Sequence, residues 1–310
     1  MNPAFSIVFF TTLAGIGQGL VASLAIAVLA GAMLDRAFLL TAIGSGEVLL
    51  LAALGSSFLH LGHKMRAWRA VLMWRTSWMS REVIALPMLI SAVGAWWLAV
   101  YLDAGPPHGA ALPVLVLLFS LAVWVCTAMI YACLRFVQEW AHPITVVNYV
   151  LIGLSSGLVL AGALGATRGA TAFSAALAPW ALAATLAAWA VRAASLRRNA
   201  RLKPRSTLQS ATGIPAKRLV QTSMGMSAGS FNTREFFHGV SALALRQVKW
   251  GFLVLGFAVP CALLAWILAG GGATAWGVAV PLQTLGILAE RWFFFAQARH
   301  PQNLYYQTVS

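Results

Sequence analysis

The stretch Pro113-Val114-Leu115-Val116-Leu117-Leu118-Phe119-Ser120-Leu121-Ala122-Val123-Trp124-Val125-Cys126-Thr127-Ala128-Met129-Ile130-Tyr131 carries no charge and sits in an apolar run, 110–134, that stops at Arg135. A helix rises about 1.5 Å per residue, so crossing a hydrocarbon layer of about 30 Å takes about 20 apolar residues. This run qualifies. Working outward along the chain, so do 6–33, 37–60, 83–102, 146–166, 172–194, 250–270 and 273–296. The pattern predicts an all-α integral membrane protein, a bundle of about eight transmembrane helices forming a single membrane domain over 1–310.

Composition agrees. Of the residues, 60% are hydrophobic and 9% charged, with a mean hydropathy of +0.81; a soluble globule is roughly one-quarter charged. Lys and Arg number 21 against 7 Asp and Glu, a net charge of +14. On a soluble chain that balance would point to nucleic acid. Here the basic residues fall between apolar runs, so the bilayer is the expected partner and nucleic acid is not. Cys126, Cys133 and Cys261 lie inside apolar runs without a CxxC or Cys/His cluster, so no disulfide framework, zinc site or iron–sulfur cluster is expected. Met1-Asn2-Pro3-Ala4 leads into an apolar stretch without a basic n-region, which reads as a retained span rather than a cleaved signal.

One polar segment, 196–249, is too long for a tight connection and too polar to insert. With eight spans, one side of the membrane receives Lys64, Arg66, Arg69, Arg75, Arg81, Arg135, Arg197, Arg198, Arg201, Lys203, Arg205, Lys217, Arg218 and Arg299, and the other only Arg36 and Arg168. Lys and Arg near span ends stay in the cytoplasm. The asymmetry therefore predicts a multi-pass protein of the bacterial inner membrane with both termini and the 196–249 loop cytoplasmic. A basic surface that docks an acidic partner accounts for the same charges, and both causes can act together. Gly15, Gly17 and Gly19, and Gly153, Ser155, Ser156 and Gly157, read as surfaces for close helix packing. No repeat is visible, so an inverted-repeat transporter is not supported.

An ionisable residue within a span is costly and therefore a candidate for function. Glu47, in the middle of the second run, is either a proton-path residue or a protonated carboxyl bonded to a neighbouring helix. His60 and His63 close that run about one helical turn apart, where they can trade protons near neutral pH or simply bond headgroups and loop carbonyls. In Ser80-Arg81-Glu82, Ser80 reads as an N-cap and Glu82 as a favourable charge at a helix start, at the depth where a quinone head would lie. Glu290-Arg291, followed by Trp292 and three phenylalanines, reads as a structural ion pair or as part of a ligand site. All but Glu47 gather at one face, as a lipid-soluble ligand with a polar head requires. The tract from Trp68 to Trp78, with Arg69 and Arg75 between tryptophans, reads as an interfacial helix or a docking loop. No pair of histidines projects from facing spans, so haem is not expected.

Several segments resemble the membrane-anchor subunits of dimethyl sulfoxide reductase-type molybdoenzyme complexes: Phe58-Leu59-His60-Leu61-Gly62-His63 with Arg66-Ala67-Trp68-Arg69; Trp74-Arg75-Thr76-Ser77-Trp78-Met79-Ser80-Arg81-Glu82; Met129-Ile130-Tyr131-Ala132; His142-Pro143 leading to Asn148-Tyr149; Ser206-Thr207-Leu208-Gln209-Ser210-Ala211-Thr212-Gly213; and Glu290-Arg291-Trp292-Phe293-Phe294-Phe295-Ala296 with His300-Pro301-Gln302-Asn303. The resemblance implies an eight-helix bundle without haem. It also implies a quinone (ubiquinone or menaquinone) bound near the face where a four-cluster iron–sulfur subunit docks, with a molybdopterin catalytic subunit beyond it. It places His60, His63 and Glu82 in the quinone site; Arg81, Glu290 and Arg291 join them as candidates, and Glu47 stands apart. Such a chain does not itself transform the terminal substrate. The docking side being the basic side makes the chain resemble the anchors of cytoplasm-facing sulfite dehydrogenases more than those of quinol-oxidising reductases. A transporter without redox partner, centred on Glu47, and a plain tether are the competing expectations.

Overall fold

A computed structural model describes residues 1–59, 61–103, 109–223 and 238–301. The described residues are helical, with no strand among them: α1 (Phe5–Leu29), α2 (Arg36–Phe58), a 3-10 segment (Lys64–Met73), α3 (Trp78–Tyr101), α4 (Ala111–Ala132), α5 (Pro143–Thr167), α6 (Thr171–Asn199), the short α7 (Leu208–Thr212), α8 (Ala242–Leu268) and α9 (Thr274–Ala296). The all-α membrane bundle expected from the sequence is borne out. Seven helices, α1 to α6 and α8, are long and apolar enough to cross a bilayer.

The eighth long helix, α9, has 23 residues but carries Gln283, Glu290 and Arg291. It packs against α1, α5 and α8, and all three polar side chains are buried. A helix enclosed by protein need not be apolar all round.

Local chemistry sets the helix ends. Asp35 accepts from the amides of Ala37 and Phe38 at the start of α2. At α5, His142 Nδ1 accepts from the Ile144 amide, and Pro143 takes the first turn, where a missing N–H costs nothing. Ser241 caps α8 by accepting from the Ala244 amide. The α8 helix widens into a π turn at Val254–Ala258, just before Pro260. Pro260 has no N–H to offer the carbonyl four residues back, and the wider turn absorbs that gap.

Small residues then let helices touch through their backbones. A Cβ on Gly157 of α5 would stand 2.0 Å from the Gly19 carbonyl carbon of α1, and one on Gly286 of α9 would stand 2.1 Å from the Gly256 nitrogen of α8. α1 and α5 form the enclosed middle of the bundle, with α2, α3 and α4 on one side and α6, α8 and α9 on the other.

Hydrogen bonds identify the ends of the bundle. Trp140 Nε1 donates to the Phe294 carbonyl at 3.0 Å, Arg198 Nη2 to that of Gln138 at 3.1 Å, and the Met1 amine to that of Ala298 at 2.9 Å. These bring the chain start, the α4–α5 turn, the end of α6 and the end of α9 together. Arg36 donates to the carbonyls of Val100 and Tyr101, which puts the start of α2 and the end of α3 at the opposite end. The first end is the one that the sequence makes basic.

Candidate functional site

The α3 helix starts one turn earlier than the sequence suggested. Ser77, with extended backbone, is the N-cap and accepts from the Ser80 amide at 3.3 Å, so Ser80 is the third helical residue rather than the cap. Both serines suit the position, and only the backbone path separates them. The shift carries Glu82 from the helix edge into the second turn, where it is buried.

There the Thr127 hydroxyl of α4 donates to Glu82 Oε1. One turn on, Tyr131 lies among aromatic rings: Tyr149 at 5.9 Å between centroids, Trp140 at 5.3 Å, Phe294 at 5.4 Å and Phe295 at 5.3 Å. The Arg291 guanidinium of α9 sits 4.0 Å from the Tyr149 ring centroid. Glu290 Oε2 is 3.5 Å from Arg291 Nη1, and Glu290 Oε1 is 2.7 Å from Arg192 Nε on α6. Arg192 in turn lies over the Phe252 ring of α8 and reaches Ser195 Oγ at 3.5 Å.

Five helices thus build one buried polar row: Glu82 and Thr127, Tyr131, Tyr149, Arg291, Glu290, Arg192. At 1.5 Å per residue, Glu82, Tyr149, Arg192 and Glu290 lie roughly 6 to 11 Å in from the basic end of their helices. Arg192 and Glu290 are each 1% exposed and Arg291 is 2% exposed. Three formal charges with a net of +1 are therefore enclosed in an apolar bundle. The Tyr149 hydroxyl, Asn148 Oδ1, Arg192 Nη2 and Arg291 Nε make no hydrogen bond. Buried polar atoms are ordinarily satisfied, so orphans at one depth mark a place where a polar ligand group or water fits.

Not every candidate joins this row. Glu82, Glu290 and Arg291 do. His63 is exposed at the start of the 3-10 segment and lines an open cavity of about 380 Å³ with Leu61, Gly62, Lys64, Met65 and Arg66, none of which belongs to the row. His60 lies outside the described residues. Arg81 turns outward: Nε donates to the Trp74 carbonyl at 2.9 Å, Nη2 to that of Arg75 at 2.8 Å, and its guanidinium stacks on Trp78. It ties the Trp–Arg tract to the start of α3. Glu47 stands near the middle of α2, with Oε1 against Gly94 of α3 and Oε2 without a hydrogen-bond partner. Among the described residues no three His, Cys, Asp or Glu converge on a metal-sized site.

Nothing in the sequence singles out Arg192. A lone Arg near a span end ordinarily snorkels to the headgroups. Seven residues before the helix end, it instead turns inward to Glu290.

The sequence is similar to known proteins. The chain is 46% identical to a protein of the sulfite dehydrogenase of Allochromatium vinosum over 329 aligned positions, covering 100% of both chains. It is 31% identical to the anaerobic dimethyl sulfoxide reductase chain YnfH of Escherichia coli over 112 positions, 35% of this chain and 38% of that one. Residues 1–221 match the family model described as DMSO reductase anchor subunit (DmsC). The chain therefore belongs to the DMSO reductase anchor subunit family, as the integral membrane anchor of a complex built from several different chains.

Proposed function

We propose that this anchor binds a quinone head group against the buried row and exchanges electrons between an iron–sulfur subunit seated on its basic end and the quinone pool, with a molybdopterin subunit beyond. The carrying observation is the row itself, buried ionisable side chains on four helices with Thr127 and Tyr131 of α4 beside them, with orphaned donors and acceptors where a ring with two oxygens needs partners. The fit is chemical. Reducing a quinone takes two electrons and two protons at the ring oxygens, and Glu82, bonded to Thr127, is placed to hand over or take up a proton. Tyr149 and Arg291 offer donors to the other oxygen. The basic end of the bundle would seat an acidic face of the partner and faces the cytoplasm of the bacterial inner membrane. Arg201, Lys203, Arg205, Lys217 and Arg218, in the segment after α6, would add to that charge.

Sulfite as the electron source is favoured over dimethyl sulfoxide reduction by extent of likeness, 46% over the whole chain against 31% over 35% of it. Electrons then run from sulfite to quinone. A transporter reading would need its polar groups near the midplane, whereas all in this row lie near one end.

The test is sulfite-dependent quinone reduction by the assembled complex carrying Glu82→Gln, which keeps shape and hydrogen bonding but cannot exchange a proton. General acid–base catalysis contributes about 100-fold or more, so a loss of that order is expected. An unchanged rate overturns the assignment. A reporter fused after Ser310 tests orientation, and periplasmic activity would overturn the cytoplasm-facing arrangement.

A further inference from the structure

The Arg192–Glu290–Arg291 cluster within the row carries one more cation than anion. Glu290 is one carboxylate between two guanidiniums, with Arg192 Nε at 2.7 Å and Arg291 Nη1 at 3.5 Å, and all three side chains are almost wholly enclosed. One arginine would neutralise it. A second buried cation is costly unless something uses its charge. Glu82 forms no ion pair with either arginine, and its carboxyl is engaged by Thr127. Arg192 holds Glu290 more closely than Arg291 does, and Arg291 lies face-on against Tyr149, with its Nε and the Tyr149 hydroxyl unbonded.

Building on the quinone reading, we infer that Arg192 is a positioning residue that acts through Glu290: it takes the closer share of the carboxylate and so leaves Arg291 as a partly compensated positive pole over Tyr149. The site consequently prefers ring ligands that carry an anionic oxygen over uncharged analogues of the same shape. Arg192 acts from α6 through these contacts: its Nε faces Glu290 at 2.7 Å, its Nη1 reaches Ser195 Oγ at 3.5 Å and its guanidinium lies over the Phe252 ring. The ligand class is an acidic hydroxyquinone, bound as its anion.

The experiment uses the assembled complex and two inhibitors of quinone reduction, a hydroxynaphthoquinone ionised at neutral pH and its methyl ether, and reads the ratio of their inhibition constants. Wild type should favour the anion. One unit of charge within about 10 Å at an effective dielectric constant of about 20 corresponds to about tenfold in affinity. Arg192→Gln should lower the ratio by about that factor, and Arg192→Lys should hold it. Glu290→Gln, which leaves two cations, should raise it, while Arg192→Gln with Glu290→Gln returns the net charge to +1 and should restore it. Opposite movement in the two single variants is the signature, because a packing defect would move both the same way. If Arg192→Gln fails to assemble, Glu290→Gln and the double variant still carry the comparison. Inhibition by both probes with the ratio fixed across variants overturns the charge inference alone; no inhibition of wild type by either probe overturns the quinone reading beneath it.

Discussion

Two glycine-to-alanine substitutions in this bundle should have opposite effects. Gly157 of α5 faces α1, and an added Cβ would lie 2.0 Å from the Gly19 carbonyl carbon, 2.2 Å from the Leu20 nitrogen and 2.3 Å from Gly19 Cα. All three are backbone atoms, so no rotamer change relieves the clash, and the two central helices must part by about 1 Å or more before carbon atoms reach ordinary contact. Alanine gains about 1 kcal/mol of helix propensity over glycine. Overpacking costs about 1 to 3 kcal/mol, and parting the helices also loosens their neighbouring contacts. A net loss of about 2 kcal/mol is expected for Gly157→Ala, or roughly 5 °C in melting temperature. Gly55, on the exposed face of α2, has nothing within 4 Å of its would-be Cβ. There only the propensity gain remains, and Gly55→Ala should raise stability by about 1 kcal/mol. Thermal unfolding of the purified complex in mild detergent, followed by tryptophan fluorescence, reads both. A neutral or stabilising Gly157→Ala would refute the backbone-contact account of the α1–α5 seam. The shift should also carry functional loss, since Tyr149 lies on α5 two turns from Gly157.

Two further predictions concern single groups. Thr127→Val keeps shape but removes the donor to Glu82. Because a hydrogen bond to a buried carboxyl contributes about 1.5 to 3 kcal/mol to stability, the melting temperature should fall by several degrees and quinone reduction at least severalfold, and an unchanged rate would count against Thr127 as Glu82's partner. His142 caps α5 through neutral Nδ1, and burial, aided by the nearby Arg198 charge, holds its pKa below the ordinary 6.5. The unfolded chain therefore takes up the proton first. Stability is whole above 6.5 and declines as pH falls below it until the folded pKa is passed. His238 and His300 are also lowered, by burial and then by the Met1 amine, and add a slope of the same sign. His142→Asn, which preserves a cap without titrating, should flatten the acid-side loss of melting temperature in part; an unaltered pH slope would remove His142 from it.

Hydropathy made the bundle legible because crossing lipid demands long apolar runs, and the runs at 110–134 and 146–166 became α4 and α5 within a few residues. It located helix ends less well. The α8 helix begins at Ala242, eight residues before its apolar run, because Arg246 and Lys249 belong to its first turns. In α3, Ser77 and Ser80 are equally good caps by chemistry, and the later of the two leaves Glu82 at the surface. Of the site, the acids and the Glu290-Arg291 pair were visible as charges in apolar sequence. Their partnership was not: Tyr131 and Tyr149 fall in segments that carry the family resemblance, but like Thr127 they are ordinary in a span, and what faces them is not written in the sequence. Arg192 was hidden by the same logic that finds spans, which tolerates a basic residue near a helix end.

Adjacency in sequence also misdescribes Glu290 and Arg291. Successive helical residues point about 100° apart and do not face one another. Here that divergence is the useful property: Glu290 reaches α6 at Arg192 while Arg291 reaches α5 at Tyr149, so one dipeptide on α9 bridges two helices. This explains how α9 carries Gln283, Glu290 and Arg291 and yet lies in the bundle. Its polar residues are buried, and sparing them from lipid requires neighbours on both sides, which α5, α8 and α1 provide. The order follows physically. Enclosure of α9 lets it carry charge, that charge gathers the tyrosines and Arg192 at one depth, and the depth matches Glu82 because α3 begins at the same end. A substitution that exposes α9, such as Gly286→Val against the Gly256 backbone, should therefore disturb quinone reduction and stability together. Retained activity with α9 displaced from α8, read by cross-linking between the two helices, would separate the row from the seam and break this chain of dependence.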